Sequence, residues 1–202
     1  AKDTPEKYDL QLTMIQNKLG VFYMYFQRFK ESEALFKASM KTYLHLAKTK
    51  PYEYESTPAE FMLELLKHYS NSNEFTYAYN LGKKALPLFR KQFDSGSWEK
   101  EDFAKILSSL SFYSNLIGQF TEGVKYATEA LRIAPKLHTA YTNLAAAQLL
   151  QGKYEYAEKI YRQYKDELKD EFLADFEEYA KQGIIPKERE NDVERIKQIL
   201  LE

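Results

Sequence analysis

Three histidines, two dense acidic runs and no cysteine are what this 202-residue chain offers to chemistry. His45, His68 and His138 lie far apart in sequence. Imidazoles hold zinc only when further ligands stand at short, regular spacings, which these three lack. The acidic runs at 166–171 and 188–192 could mimic paired carboxylates, but in a chain with 29% charged residues they read as solvated helix faces. No glycine-rich phosphate loop, no Gly-x-Ser-x-Gly elbow and no His-Glu-x-x-His pair is present. Without cysteine there is no disulfide and no thiol nucleophile. The expectation is a protein that is not an enzyme and carries no metal or cofactor.

Charge and hydropathy narrow the partners. The net charge of −1 gives no general attraction to nucleic acid or anionic lipid, and no dense Lys/Arg cluster compensates. No stretch reaches the roughly 20 continuous apolar residues that a spanning helix needs. A soluble protein without membrane insertion is expected, with cytoplasm and periplasm equally open. Because Ala1 is not a methionine, an upstream piece is expected to have been removed or left out.

The elements that would position any functional residue show themselves through repetition. Leu110, Gly118 and Phe120 are followed 34 residues later by Leu144, Gly152 and Tyr154. Ala130 and Pro135 close the first of these units, and Ala157 lies in the second. Self-similarity at this period means stacked supersecondary units, because one unit alone cannot bury its apolar face. In the clearest copy, His138, Tyr141, Leu144, Ala145 and Gln148 follow helical spacing. Gly152 then breaks the pattern, and a second helical run starts at Tyr154. This predicts a helix hairpin. Tyr141 and Tyr161 alternate with Ala145 and Ala157, as two helices about 8–10 Å apart require.

These residues resemble the tetratricopeptide repeat family, with its Leu-Gly pair, aromatic and alanine core positions and closing proline. In the unit at 104–137 the match runs through Leu107, Leu110, Ser111, Gly118, Phe120, Gly123, Ala130 and Pro135, with Ser114 and Ala127 smaller than the family's usual residues. Two weaker copies precede it. One reads Leu19, Gly20, Tyr23, Phe29, Ser32, Phe36 and Ser39; the other reads Met62, Leu65, Tyr69, Phe75, Ala78, Gly82 and Ala85, with Leu66 where a small residue is usual. The resemblance implies an all-α, right-handed solenoid of about four hairpins, at about 13–46, 59–92, 104–137 and 138–171. A C-terminal cap at 172–202 would complete a single domain over 1–202. It also places the chain among bacterial proteins of this type.

Between the repeats, 49–58 contains Pro51 and Pro58 and predicts loop or helix end. At 94–97, Asp-Ser-Gly-Ser signals a stop and a start, with Ser97 as N-cap and Trp98 at a core edge. After 171 comes an acidic amphipathic run, a break at 183–186 and a final helix with Val193, Ile196, Ile199 and Leu200 on one side. Seventeen Tyr and thirteen Phe mostly fall on core positions, but Tyr25, Tyr52, Tyr54 and one of Tyr77 and Tyr79 do not and could line a groove.

In arrays of the resembled family the first helix of each hairpin lines the concave side. The implied partner-binding residues are Asn17, Lys18 and Val21, then Glu64, Lys67 and Asn71, then Lys105, Ser109, Phe112 and Asn115, then Thr142, Asn143 and Ala146. Such a mixed surface suits a peptide segment or a partner's helix. The family's carboxylate clamp is incomplete here, since Val21, Glu64 and Ser109 stand where clamp groups belong. A buried Glu64 would moreover repel a carboxylate. A protein-interaction module is therefore expected, the alternative being an assembly role through self-association into a homo-oligomer or packing against a flanking domain.

Overall fold

The computed structural model describes residues 5–202 and is all-α, with no strand among the described residues. Two compact units divide the chain, one ending at Gln92 and the other beginning at Phe93.

The first unit contains α1 (Pro5–Tyr25), α2 (Phe29–Thr49), the single turn α3 (Pro51–Tyr54), α4 (Thr57–Asn71) and α5 (Phe75–Asp94), whose last two residues belong to the second unit. Helix α2 stops just before Pro51, and α4 carries Pro58 in its first turn, where the missing N–H has no helical partner to lose. Its core is aromatic. Phe36 meets Phe61 and Tyr69 edge-on, with ring centroids 6.1 and 6.5 Å apart, and Tyr69 stacks on Tyr77 at 5.5 Å. Helix α1 can lie this close to α2 because Gly20 has no Cβ. One built there would stand 2.5 Å from the Phe36 ring.

The second unit contains α6 (Lys100–Leu116), α7 (Phe120–Ile133), α8 (His138–Leu150), α9 (Tyr154–Lys181), a 3-10 turn (Lys187–Arg189) and α10 (Glu190–Leu201). Consecutive helices pack in pairs, and α6 also packs on α8. The small residues read from the sequence sit at the contacts, with Ala127, Ala130, Ala145 and Ala157 all fully buried.

One turn geometry joins the hairpins in both units. Gln27, Asn73, Gly118, Gly152 and Gly183 all take positive φ, between 57° and 83°. Each donates its backbone N–H three residues back, and the residue after it donates five residues back, as in Arg28 to Tyr23, Gln119 to Ser114 and Ile184 to Tyr179. This is the Schellman closure, which satisfies carbonyls that a helix end leaves open.

One expectation needs correction. Ser97 does not cap α6: the helix begins after Glu99, and the Ser97 hydroxyl pairs with that of Ser95 at 2.9 Å. The break expected at 183–186 falls where α9 ends; α9 itself runs unbroken from 154 to 181 and bends at Leu168, with φ −126° and ψ 19°. The apolar spacing of Phe172, Phe176 and Tyr179 keeps the chain helical, and all three are buried. Beyond the bend, the end of α9, the Gly183 turn and α10 form a further hairpin.

Left-handed backbone costs an L-residue with a Cβ about 1–2 kcal/mol. Gln27→Gly is expected to raise stability by about 1 kcal/mol. Gly152→Ala is expected to lower it by about 1–3 kcal/mol, since a Cβ there would also meet the Arg189 guanidinium at 2.5 Å. Urea unfolding followed by circular dichroism measures both.

Candidate functional site

The residues implied as a binding face fall into two groups with opposite character. In the first unit they are open. Lys18, Glu64, Lys67 and Asn71 are exposed, Val21 is half-buried, and Glu64 stands 3.9 Å from the His68 Nε2. Glu64 is thus in solvent and not buried as expected, so burial gives its carboxylate no added repulsion for an acidic tail. Asn17 is half-buried and donates from Nδ2 to the Tyr43 hydroxyl at 3.0 Å, which ties α1 to α2. Its Oδ1 is buried without a partner.

Where α1 and α4 end, a hollow of about 270 Å³ opens. Val21, Met24 and Phe29 give it apolar wall, while His68, Asn71 and Glu74 give it polar rim. Tyr25, one of the aromatics that did not fit the core stripe, is here, 75% exposed. Both helices present their C-terminal ends to this hollow, where the partial charge is negative, and Glu74 adds to it. The arrangement favours a ligand group that donates hydrogen bonds or carries positive charge.

In the second unit the corresponding residues are largely enclosed. Lys105 is exposed, 3.4 Å from Asp102, and the half-buried Ser109 donates its hydroxyl to the Lys105 carbonyl. Asn115, Thr142, Asn143 and Ala146, however, are buried. Asn115 donates from Nδ2 to the Asn143 carbonyl at 3.0 Å, and Asn143 donates from Nδ2 to the Ser108 carbonyl at 2.9 Å. These bonds lace α6 to α8. Over this row lies the far half of α9: the Tyr179 ring is 6.3 Å from that of Phe112, the Tyr179 hydroxyl faces Asn115, and Asp175 faces Thr142. The side chains of Asn115, Thr142 and Asn143 thus join helices instead of facing solvent.

In the sequence Asp175 and Tyr179 stood only as part of the acidic amphipathic run after 171, not as site residues. Their signal was the spacing of Phe172, Asp175, Phe176 and Tyr179, which puts the carboxylate on the apolar stripe of an otherwise acidic helix. Burial pushes the Asp175 carboxyl up to about 7; the Thr142 hydroxyl opposes this, and Glu171 adds to it. Burial also raises Tyr161 and Tyr179 well above the ordinary tyrosine value. A carboxyl near neutrality can hold or release a proton; the groups that act on it or lie beside it are the Thr142, Tyr161 and Tyr179 hydroxyls and the Glu171 carboxylate. Among the described residues no cluster of three His, Asp or Glu could hold a metal ion. His45 and His138 are exposed and His68 is half-buried. No helix among the described residues is long and apolar enough to cross a membrane. No family model matches the chain, and no curated protein matches it either.

Asp175 makes stability depend on pH. With a folded value of about 7 against an ordinary 3.8, the folded chain keeps a proton that the unfolded chain has released. The benefit is complete below about pH 4 and is lost as pH rises through 7. Asp175→Asn should flatten this fall, matching the wild type at pH 4 and exceeding it by roughly 1–3 kcal/mol at pH 8. Thermal unfolding across that range tests it.

Proposed function

We propose that the chain is a protein-interaction scaffold built as a right-handed α-solenoid of tetratricopeptide-like hairpins, and that it binds a partner's peptide segment without making or breaking a covalent bond. The observation that carries this reading is the single turn geometry that recurs at Gln27, Asn73, Gly118, Gly152 and Gly183, whatever the residue type. Repetition of one hairpin is what stacked-repeat proteins are made of, and such arrays present extended first-helix surfaces.

Within that frame the first unit is the better binding surface. Its first-helix residues Lys18, Glu64, Lys67 and Asn71 are exposed, and Asn71 lines an open hollow. Apolar wall with a polar rim suits an extended segment that lodges one side chain and hydrogen-bonds its backbone. The negative helix ends and Glu74 favour a lysine or arginine in the hollow over an acidic tail.

Selection from a displayed random-peptide library tests this. Peptides enriched on the wild type should carry a basic residue, and Asn71→Ala combined with Glu74→Ala should weaken them about tenfold, or about 1.4 kcal/mol. An acidic C-terminal peptide should show no micromolar saturation in a fluorescence titration. Enrichment that ignores both substitutions, or tight binding of the acidic tail, would overturn the assignment.

A further inference from the structure

Helix α1 is inside out. Its inward row, Leu10, Thr13, Asn17, Gly20 and Met24, is short and partly polar: the Ser39 hydroxyl reaches the Thr13 carbonyl, and Asn17 reaches Tyr43. Its outward row is Tyr8, Leu12, Ile15, Leu19, Phe22 and, just past the helix end, Phe26, each between 38% and 62% exposed. A surface helix normally buries its more apolar face. Met14 and Tyr25 flank the row, at 55% and 75% exposed, so the uncovered large apolar side chains concentrate on this one element.

The spacing of the outward row alternates four and three, from 8 to 12, 15, 19, 22 and 26. That is the a/d seam of a coiled coil, which fits another helix and not an extended strand. We propose that α1 is the interface of a homodimer, in which a second copy of this chain lays its own α1 antiparallel along this seam.

Three observations favour a second copy. The seam is complementary to itself: turned about a two-fold axis near residue 17, Tyr8 meets Phe26, Leu12 meets Phe22, and Ile15 meets Leu19, so aliphatic and aromatic side chains fill layers of similar size. A closed two-fold contact of this kind uses one patch twice and leaves none over. The surface is also large enough. At about 150–250 Å² for a full aromatic, the eight side chains leave on the order of 800 Å² uncovered, matching the ~800 Å² per partner of a stable interface. Finally, the seam holds no charge, and the flanking positions hold only Asp9 and Lys18, so nothing selects a partner of opposite sign. The two Lys18 side chains come near each other at the axis, a weak repulsion that salt screens.

Sedimentation equilibrium of the whole chain tests the proposal. The expected mass is twice the 23.8 kDa of the monomer, with association strengthening modestly as salt rises. Ile15→Glu with Leu19→Glu, both at exposed positions, should keep the helical spectrum and weaken dimerisation at least a hundredfold. A monomer at about 100 μM chain, where a dimer of micromolar affinity would be mostly formed, or a dimer indifferent to these substitutions, would overturn the proposal. Orientation is read separately, since the chain has no cysteine of its own. Leu12→Cys and Phe22→Cys chains mixed together should cross-link, whereas Leu12→Cys alone should not; the reverse result would refute the antiparallel arrangement.

Discussion

Five of the helix-to-helix turns depend on one backbone constraint: a residue in the left-handed region at the end of the first helix. Helical hydrogen bonds cannot close the last turn, so its carbonyls need other donors. At Gln27, Asn73, Gly118, Gly152 and Gly183 the reversal of φ turns the next N–H groups back onto them. The same reversal aims the following helix against the one just finished. Direction of the chain and satisfaction of its polar groups are thus settled together, and side-chain packing acts on a path that is already fixed.

That constraint explains which parts were legible in the sequence. Where the left-handed residue is glycine, at 118 and 152, the period of 34 stood out, since glycine occupies that region at little cost. In the first unit the same position holds Gln27, a residue type that announces no turn, and Asn73, which tolerates the left-handed region but marks it less sharply than glycine, so the aromatic and small residues around them gave most of the hairpin signal. Helical class and the small-residue contacts were readable because they follow from spacing. The continuity of α9 was not, because a bend at one residue, Leu168, leaves no mark when both sides are helix-forming.

The candidate surface was less legible than the fold, for a physical reason. Periodicity tells which side of a helix is apolar, but not what later part of the chain will lie across its polar side. Asn115, Thr142 and Asn143 look like groove residues on α6 and α8 until α9 brings Tyr179 and Asp175 over them. Once enclosed, their amides and hydroxyls serve as cross-braces, at the expense of leaving Asn115 Oδ1, Asp175 Oδ2 and the Tyr179 hydroxyl without hydrogen-bond partners. Buried polar groups of that kind weaken a core but restrict how helices can align, because a shifted helix would strand still more of them. In the first unit nothing comparable encloses Lys18, Lys67 or Asn71, and they remain open to solvent.

Helix α1 shows the same logic from its other side. A helix that must approach its neighbour closely has to present small residues, and Gly20 against the Phe36 ring sets that distance. Thr13 and Gly20 are poor sources of hydrophobic stabilisation, so the inward face of α1 wins proximity and not burial. At about 25 cal/mol per Å², the larger gain lies in the aromatic and aliphatic row that faces outward. A short isolated helix is marginal in water and takes most of its stability from the face it buries. For α1 that face is only half used inside the chain, with Tyr8 to Phe26 left exposed. In the proposed dimer α1 is therefore the element of the first unit with most to gain from association.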